Sequence, residues 1–326
     1  MPTVQLIVNP IAGKGHSVAV VPAIEARLRR LGYTPATFVT HRRGEAQTFA
    51  ASLDRRTALI LAIGGDGTLN EVINGQIRIP LALFPMGTGN AFARDQGILG
   101  QVEFLEGLLR HGVVQCFDLG QAGGQKFLNM AAGGILGEIH RRFWEHRQGP
   151  DSLVRCLAGA FRVLWRRRFP PVTVWCDGQL LTRTARIVVI GNTRTYAAGI
   201  RFTPLASPVD GVFDVCTFPQ PSRLDLLKWF VGVLQQQHPQ YAGIGYTRGR
   251  TIQLAGDGIA CHVDGEYIGQ APLTVSILAR SAPILVPAVN IPRAGASLRR
   301  SEGEGSEVFS LHSPELAAFI SSRKAV

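Results

Sequence analysis

Thr57-Ala58-Leu59-Ile60-Leu61-Ala62-Ile63-Gly64-Gly65-Asp66-Gly67-Thr68-Leu69-Asn70-Glu71 decides the fold. Its first six residues form a short continuous apolar run, as expected of a strand buried on both faces of a parallel sheet. Beyond the glycines, Leu69, Val72 and Ile73 fall on one face at helical spacing, with Glu71 in the first turn. The glycines therefore mark a strand-to-helix turn. Such a turn aims free N–H groups and a helix N-terminus at one point, which favours an anion, typically phosphate. Asp66 puts a carboxylate in the same loop, where it repels bare phosphate unless a divalent cation or a substrate proton stands between them. That combination points to phosphoryl transfer. A plain βα turn with an Asp capping the helix is the alternative, and in a chain with 37 glycines one such loop does not decide between them.

Two further loops do. Leu81-Ala82-Leu83-Phe84 leads into Gly87-Thr88-Gly89-Asn90, and Val4-Gln5-Leu6-Ile7-Val8 into Asn9-Pro10-Ile11-Ala12-Gly13-Lys14-Gly15. In an open parallel sheet, loops at the carboxyl ends of the strands face one crevice. Common nucleotide signatures are absent. No GxxxxGK[ST] loop occurs, Phe92 stands where a dinucleotide fingerprint needs its third glycine, and the second strand (Pro35–Val39) ends in Thr40-His41 without a ribose-binding acid. No protein-kinase catalytic loop occurs either.

At 326 residues and 46% hydrophobic, the chain has material for one large or two ordinary domains with sizeable cores. Cysteines 116, 156, 176, 216 and 261 are odd in number and lack CxxC spacing, which reads as reduced thiols in cytosol. No leader pattern and no membrane-spanning run is present, so a soluble, cytoplasmic protein is expected. The net charge is +11, carried by 30 Arg against 4 Lys. Without a helix-turn-helix, zinc spacing or aromatic RNA-binding signature, nucleic acid is not the expected partner. An anionic membrane surface suits the charge better; the sequence leaves a homodimer open as a further partner.

The chain divides near Asp118. Before it, strands alternate with helical stretches (Val18–Leu31, Ala46–Leu53, Leu69–Gly75, Val102–His111), the α/β signal. After it come short β-rich runs: Val172–Cys176, Ala185–Gly191, Val212–Phe218, Thr251–Leu254 and Leu273–Leu278, with Asp177-Gly178 as a hairpin signal. This predicts an α/β N-terminal domain (1–118) with a parallel sheet and a C-terminal β-sandwich with helical insertions (119–287). The tail, 288–326, is a polar linker with a short helix near Pro314–Ser322, a candidate to rejoin the first domain.

The ordered set of motifs is similar to the diacylglycerol-kinase catalytic-domain family. It comprises Asn9-Pro10 with Gly13-Lys14, GGDGTLNEVING at 64–75 and GTGNAFAR at 87–94. Further matches are FLNMAAGG at 127–134, Gly191-Asn192, Tyr196, Pro204-Leu205-Ala206, DGVFDV at 210–215, Val263-Asp264-Gly265-Glu266 and Pro287. GGDGT alone is less specific, since NAD kinases and phosphofructokinases carry it. The resemblance implies a nucleotide-binding domain of NAD-kinase and phosphofructokinase type, ATP and Mg²⁺ as cofactors, and phosphorylation of a membrane lipid hydroxyl. It assigns Asn9, Lys14, Gly64, Gly65, Gly67, Thr68, Gly87, Thr88 and Asn90 to the nucleotide. It assigns Glu266 or Asp66 as the base, Asp118 to a water–Mg²⁺ network, and Ser207, Asp210 and Val212 to a structural cation.

One departure stands out. Bacterial diacylglycerol kinases usually read GTxND in the third loop, but Asn90 is followed here by Ala91. The alternatives are a soluble-metabolite kinase of the NAD-kinase kind and a non-catalytic lipid- or nucleotide-binding protein. Ser152–Arg168 reads as a basic amphipathic helix and a candidate membrane rim, centred on Arg166, Arg167 and Arg168. Leu224–Val233, with Trp229 and Phe230 beside Lys228, is expected to bury its apolar face on the sandwich. The eight histidines fit no metal or triad template, and each is expected at the surface or as a satisfied core residue.

Overall fold

Three apolar runs and one half-exposed edge segment in the first part of the chain become parallel strands because a crossover, mostly helical, returns the chain to the same end of the sheet each time. The computed structural model describes residues 1–54, 56–76, 78–145, 169–196, 199–288, 308–316 and 318. Its opening elements are β1 (Thr3–Val8), α1 (Val21–Arg30), β2 (Thr34–Val39), α2 (Glu45–Ser52), β3 (Thr57–Gly64) and α3 (Asp66–Gly75). They are followed by β4 (Leu81–Pro85), α4 (Ala91–Asp95), α5 (Val102–His111) and β5 (Val113–Ala122). The chain divides into two units, Met1–Asp118 with Ala279–Val326, and Leu119–Leu278.

In the first unit the strand order is β2-β1-β3-β4, all parallel, and the end of the long strand Leu273–Val286 adds in parallel beyond β4 through Ile284 opposite Leu81. Every residue of β3 except Ala58 is buried, which is why its sequence is continuously apolar rather than alternating. Leu59, Leu61 and Ile63 on one side of β3 pack with Ile24, Leu28, Leu105, Leu108 and Leu285. In the tail, Val308–Ser310 pairs antiparallel with β5 and Leu316 joins the same core.

The second unit starts with the hairpin from β5 to β6 (Gln125–Phe127), followed by β7 (Met130–Gly134) and α6 (Ile135–Glu145). Then come β8 (Val172–Cys176), β9 (Gln179–Ala185), β10 (Ile187–Gly191), β11 (Phe213–Phe218) and α7 (Arg223–Leu234). The last strands are β12 (Gly245–Gly249), β13 (Thr251–Ala255), β14 (Ala260–Val263), β15 (Glu266–Gln270) and β16 (Leu273–Val286), with β17 (Val308–Ser310) in the tail. One sheet runs β12-β11-β10-β7-β14-β15, all antiparallel, and β16, β13, β8 and β9 form the other antiparallel run. Between them lies a core of Val172, Val174, Val188, Ile190, Phe213, Val215, Ile252, Leu254 and Val275. On the outer side of the six-stranded sheet, Val189, Cys216 and Phe218 pack with Trp229 and Val233 of α7.

This is the two-part architecture the sequence indicates. Asp177 and Gly178, both at positive φ, turn β8 into β9. The basic helix expected over 152–168 lies outside the described residues, as does most of the tail helix.

Candidate active site

In the first unit the three glycine-bearing loops meet. Gly13 N–H donates to the Met86 carbonyl at 2.6 Å, and Met86 N–H donates to the Gly64 carbonyl at 2.7 Å. Asn9 Nδ2 donates to Thr68 Oγ1 at 3.2 Å. Gly65 and Gly87 are pressed together: a Cβ on Gly87 would lie 2.5 Å from the Gly65 Cα, and one on Gly65 2.9 Å from the Gly87 Cα. A Cβ on Gly64 would meet Thr68 Oγ1 at 2.3 Å. A side chain at Gly65 or Gly87 would force the loops apart, and one at Gly64 would displace Thr68, so glycine is required for close approach rather than for flexibility. Asn90, at φ 48°, closes its own loop by accepting from Gly87 N–H at 2.9 Å and donating to the Gly87 carbonyl at 2.8 Å.

The N-terminus of α3 opens onto this junction. No side chain caps it, and Leu69 N–H to the Gly65 carbonyl begins its hydrogen-bond ladder. Gly67 is exposed, with open space where a Cβ would be, and Lys14 and Thr88 are exposed on the flanking loops. Open first-turn N–H groups and a helix dipole form an anion site, and Lys14 on an adjoining loop supplies a cation, so these residues fit a nucleotide phosphate.

Asp66 sits at the first position of α3 and reaches across to the third loop. Its Oδ2 accepts from Ala91 N–H at 2.9 Å and its Oδ1 from Phe92 N–H at 3.3 Å. Burial raises its pKa above the ordinary carboxylate value, and these N–H donors partly offset that. At Ala91, the departure from the usual acid, the side chain is buried and the N–H serves Asp66, so the loop holds one carboxylate instead of two. Asp118, fully buried near the end of the first unit, accepts from Arg280 N–H at 2.6 Å. Among the described residues no group of three or more His, Cys, Asp or Glu is placed to hold a metal. A cation at Asp66 must therefore take most of its ligands from phosphate oxygens and water, as Mg²⁺ commonly does.

The second unit carries Glu266. The two-residue turn Asp264-Gly265, at φ 45° and 84°, joins β14 to β15 with Val263 opposite Glu266. These are the positive angles that a two-residue hairpin with the right twist needs. The turn is fastened by its own aspartate. Asp264 Oδ2 accepts from Leu128 N–H at 3.0 Å, and its Oδ1 from Asn129 N–H at 3.0 Å and Met130 N–H at 2.8 Å. The same segment is braced from the far side by Asn192 Nδ2, which donates to the Leu128 carbonyl at 2.7 Å. Glu266 thus leaves a turn held through the carboxylate of Asp264.

Behind the turn lies a cluster that sequence spacing does not announce. His140 of α6, Tyr196 and His262 of β14 bring their rings together, with His140 and His262 centroids 4.0 Å apart. His140 Nε2 hydrogen-bonds the Tyr196 hydroxyl, and the Gly265 backbone lies against the His140 ring. His262 is fully buried and neither ring nitrogen has a hydrogen-bond partner among the described residues, unlike the satisfied core histidine expected. Burial lowers the His140 pKa to about 4, partly opposed by the Gly265 backbone, and burial, with the neighbouring His140, lowers that of His262 well below its ordinary value. The one sequence hint was the position of His262, two residues before Asp264.

Ser207, Asp210 and Val212 lie in the loop before β11. Asp210 Oδ1 accepts from Val212 N–H at 3.3 Å, and its Oδ2 pairs with Arg248. Arg248 Nε also lies 3.6 Å from Oδ2 of the fully buried Asp214. Burial raises the pKa of both acids, against the pull of the guanidinium. One guanidinium between two carboxylates leaves one negative charge unbalanced, so a cation fits the loop electrostatically while competing with Arg248 for Asp210.

Comparison with known proteins finds the same two parts. Residues 3–122 match the diacylglycerol kinase catalytic domain, and residues 144–286 the YegS C-terminal NAD kinase beta sandwich-like domain. A protein named diacylglycerol kinase from Staphylococcus saprophyticus is 27% identical over 82% of this chain and 90% of its own length. One of the same name from Staphylococcus epidermidis is 27% identical over 87% and 92%. A crystal structure of a diacylglycerol kinase from Bacillus anthracis superposes with a TM-score of 0.67 at 24% identity, covering 88% of this chain and 98% of that one. This last likeness is one of fold.

Proposed function

Since the chain belongs to the diacylglycerol kinase catalytic-domain family, we propose that it is an ATP-dependent kinase that phosphorylates a hydroxyl of a membrane lipid such as diacylglycerol or a sphingoid lipid. The observation that carries this reading is the junction of three loops on an uncapped helix N-terminus, with Asp66 at its first turn and Lys14 beside it. Diacylglycerol as acceptor is suggested by the names of the relatives.

In this reading Asn9, Gly64, Gly65, Thr68, Gly87 and Asn90 shape the nucleotide site, while Gly67, Lys14 and Thr88 face the phosphates. Asp66 and Asp118 would hold Mg²⁺ through water. When bound, that ion neutralises charge on the phosphate oxygens during transfer. Asp66 orients what the loop binds, since two backbone donors fix both its oxygens. Glu266 accepts the proton of the acceptor hydroxyl, with Asp66 as the rival base. Asp210, with the carbonyls of Ser207 and Val212, holds a second, structural cation. No described helix is long and apolar enough to cross a membrane, and we place the protein at the cytoplasmic surface of the bilayer as a peripheral enzyme.

The test is transfer of labelled γ-phosphate from ATP to a panel of diacylglycerol, sphingoid base, ceramide, phosphatidylglycerol and NAD. Labelling of a lipid, lost in Asp66→Asn, supports the reading. Labelling of NAD alone replaces it with a soluble-metabolite kinase. Nucleotide or lipid binding without transfer to any acceptor replaces it with a binding protein.

A further inference from the structure

Helix α7 is apolar on two opposite sides. Trp229 and Val233 point inward and are buried against Cys216 and Phe218. Leu224, Phe230, Val231 and Leu234 point outward, at 80%, 56%, 41% and 56% exposure. Four of the eleven large hydrophobic side chains that the described residues expose thus belong to one helix of twelve residues. Scattered exposed apolar residues need no explanation, but a contiguous set on one helix face marks an interaction surface.

At about 100° per residue, the outward set covers an arc of about 120°, with Lys228 about 40° beyond its edge. Lys228 is exposed, and its Nζ lies 4.9 Å from the centre of the Tyr241 ring. An aromatic ring and a long cationic side chain beside an apolar face are what the boundary between lipid headgroups and acyl chains accommodates. At twelve residues the helix is too short to span the hydrocarbon core of a bilayer, which needs roughly 20, so it would lie along the surface. Its N-terminus is fixed by a capping box, in which Ser222 and Asp225 exchange bonds of 3.1 and 2.9 Å. The inner side is anchored by Trp229 and by Gly232, where a Cβ would meet the Tyr241 ring at 2.4 Å. The outward face is therefore presented on a fixed helix, in a chain of net charge +11.

We infer that the outward face of α7 docks the protein on an anionic lipid bilayer, with Leu224, Phe230, Val231 and Leu234 entering the interface and Lys228 at the headgroups. The inference rests on the lipid-kinase reading for its choice of a bilayer as occupant. The excess positive charge is the complementarity that favours a bilayer over a second copy of the same cationic chain.

The experiment is co-sedimentation of the full chain with vesicles of equal parts phosphatidylcholine and phosphatidylglycerol. The double variant Phe230→Glu/Leu234→Glu should bind at least about tenfold more weakly, since two apolar insertions become two anions. Lys228→Glu should flatten the salt dependence of binding. Phe230→Trp, which keeps the face apolar, should gain fluorescence that brominated phosphatidylglycerol quenches beyond the wild-type level. Vesicle binding unchanged in the double variant, or no added quenching in Phe230→Trp, overturns the inference. So does light scattering in which the double variant splits a wild-type dimer while vesicle binding persists, which would put a second copy on the face. Turnover of a water-soluble short-chain diacylglycerol should be equal in wild type and double variant. If the wild type docks through α7 but phosphorylates no lipid, the docking face stands and the kinase reading fails.

Discussion

Asp264→Ala tests how the turn bearing Glu266 is held. The carboxylate receives three backbone N–H groups, from Leu128, Asn129 and Met130, at 2.8 to 3.0 Å. Hydrogen bonds to a charged acceptor contribute roughly 1.5–3 kcal/mol each, and the part-buried site lets water recover some of that. Alanine must also adopt φ 45°, which aspartate tolerates better, at a cost of about 1 kcal/mol. The expected loss is therefore about 4–6 kcal/mol, read from equilibrium urea unfolding of the second unit through Trp175 and Trp229. Asp264→Asn keeps one acceptor oxygen and the turn angle, so its loss should be about 1–3 kcal/mol. In the folded Asn variant, kcat should fall more than nucleotide KM rises, because the displaced group is Glu266 and not the nucleotide loops. A loss under about 1.5 kcal/mol in Asp264→Ala would refute the clamp, given the magnitudes above. Equal stability of the Ala and Asn variants would show that the donors find water as readily as the carboxylate.

Other outcomes follow from the same geometry. Glu266→Gln should lower kcat by roughly 10²–10⁴ with nucleotide affinity kept. Asp66→Asn should lower kcat and weaken Mg²⁺-dependent nucleotide binding, measured by calorimetry; if Asp66→Asn alone abolishes turnover with affinity intact, the base is Asp66. Asp210→Ala should lower the melting temperature and remove a Mg²⁺-dependent rise in it; an unchanged rise puts the cation elsewhere. His140 has its pKa depressed from 6.5 to about 4 by burial, so the unfolded chain binds the proton first. The stability this contributes is full above pH 6.5 and drains as pH falls toward 4, by roughly 3 kcal/mol at most. A His140→Gln variant should show a shallower acid limb in its unfolding curve, and an unaltered limb would remove His140 as the cause.

The first unit is legible because β1, β3 and β4 are buried along nearly their whole length and each of these three ends in a glycine loop. The close approach of Gly65 to Gly87 is a geometric reason for glycines that sequence could show only as a pattern. The second unit was less so. Central strand β7, Met-Ala-Ala-Gly-Gly, has none of the β-branched residues that announce a strand, yet small side chains are what its position demands: a Cβ on Gly133 would meet Leu254 Cδ1 at 2.8 Å. The run Ala185–Gly191 predicts one strand, but Ala185 ends β9 and Arg186 separates it from β10. For α7, the inward half of the expectation holds in Trp229, while Phe230 and its neighbours face out. His140, Tyr196 and His262 lie too far apart in sequence for any spacing rule to join them. Ala91 looked like a lost acid, and its backbone proves to be a partner of Asp66.

The chain leaves the first unit at Asp118 and re-enters it at Ala279, which sets an order on its synthesis. When a ribosome has delivered β1 to β5, the parallel sheet still lacks the strand that pairs with β4, and the hydrophobic core still lacks Leu285. Until residues 279–286 emerge, β4 is an open edge of the kind that invites pairing with another chain. The inserted unit has all six strands of one of its sheets in hand by Gln270 and is free to fold as a unit in the meantime. The first unit, though begun first, is therefore finished last, and a nascent chain stalled anywhere before Ala279 carries the glycine loops on an incomplete sheet.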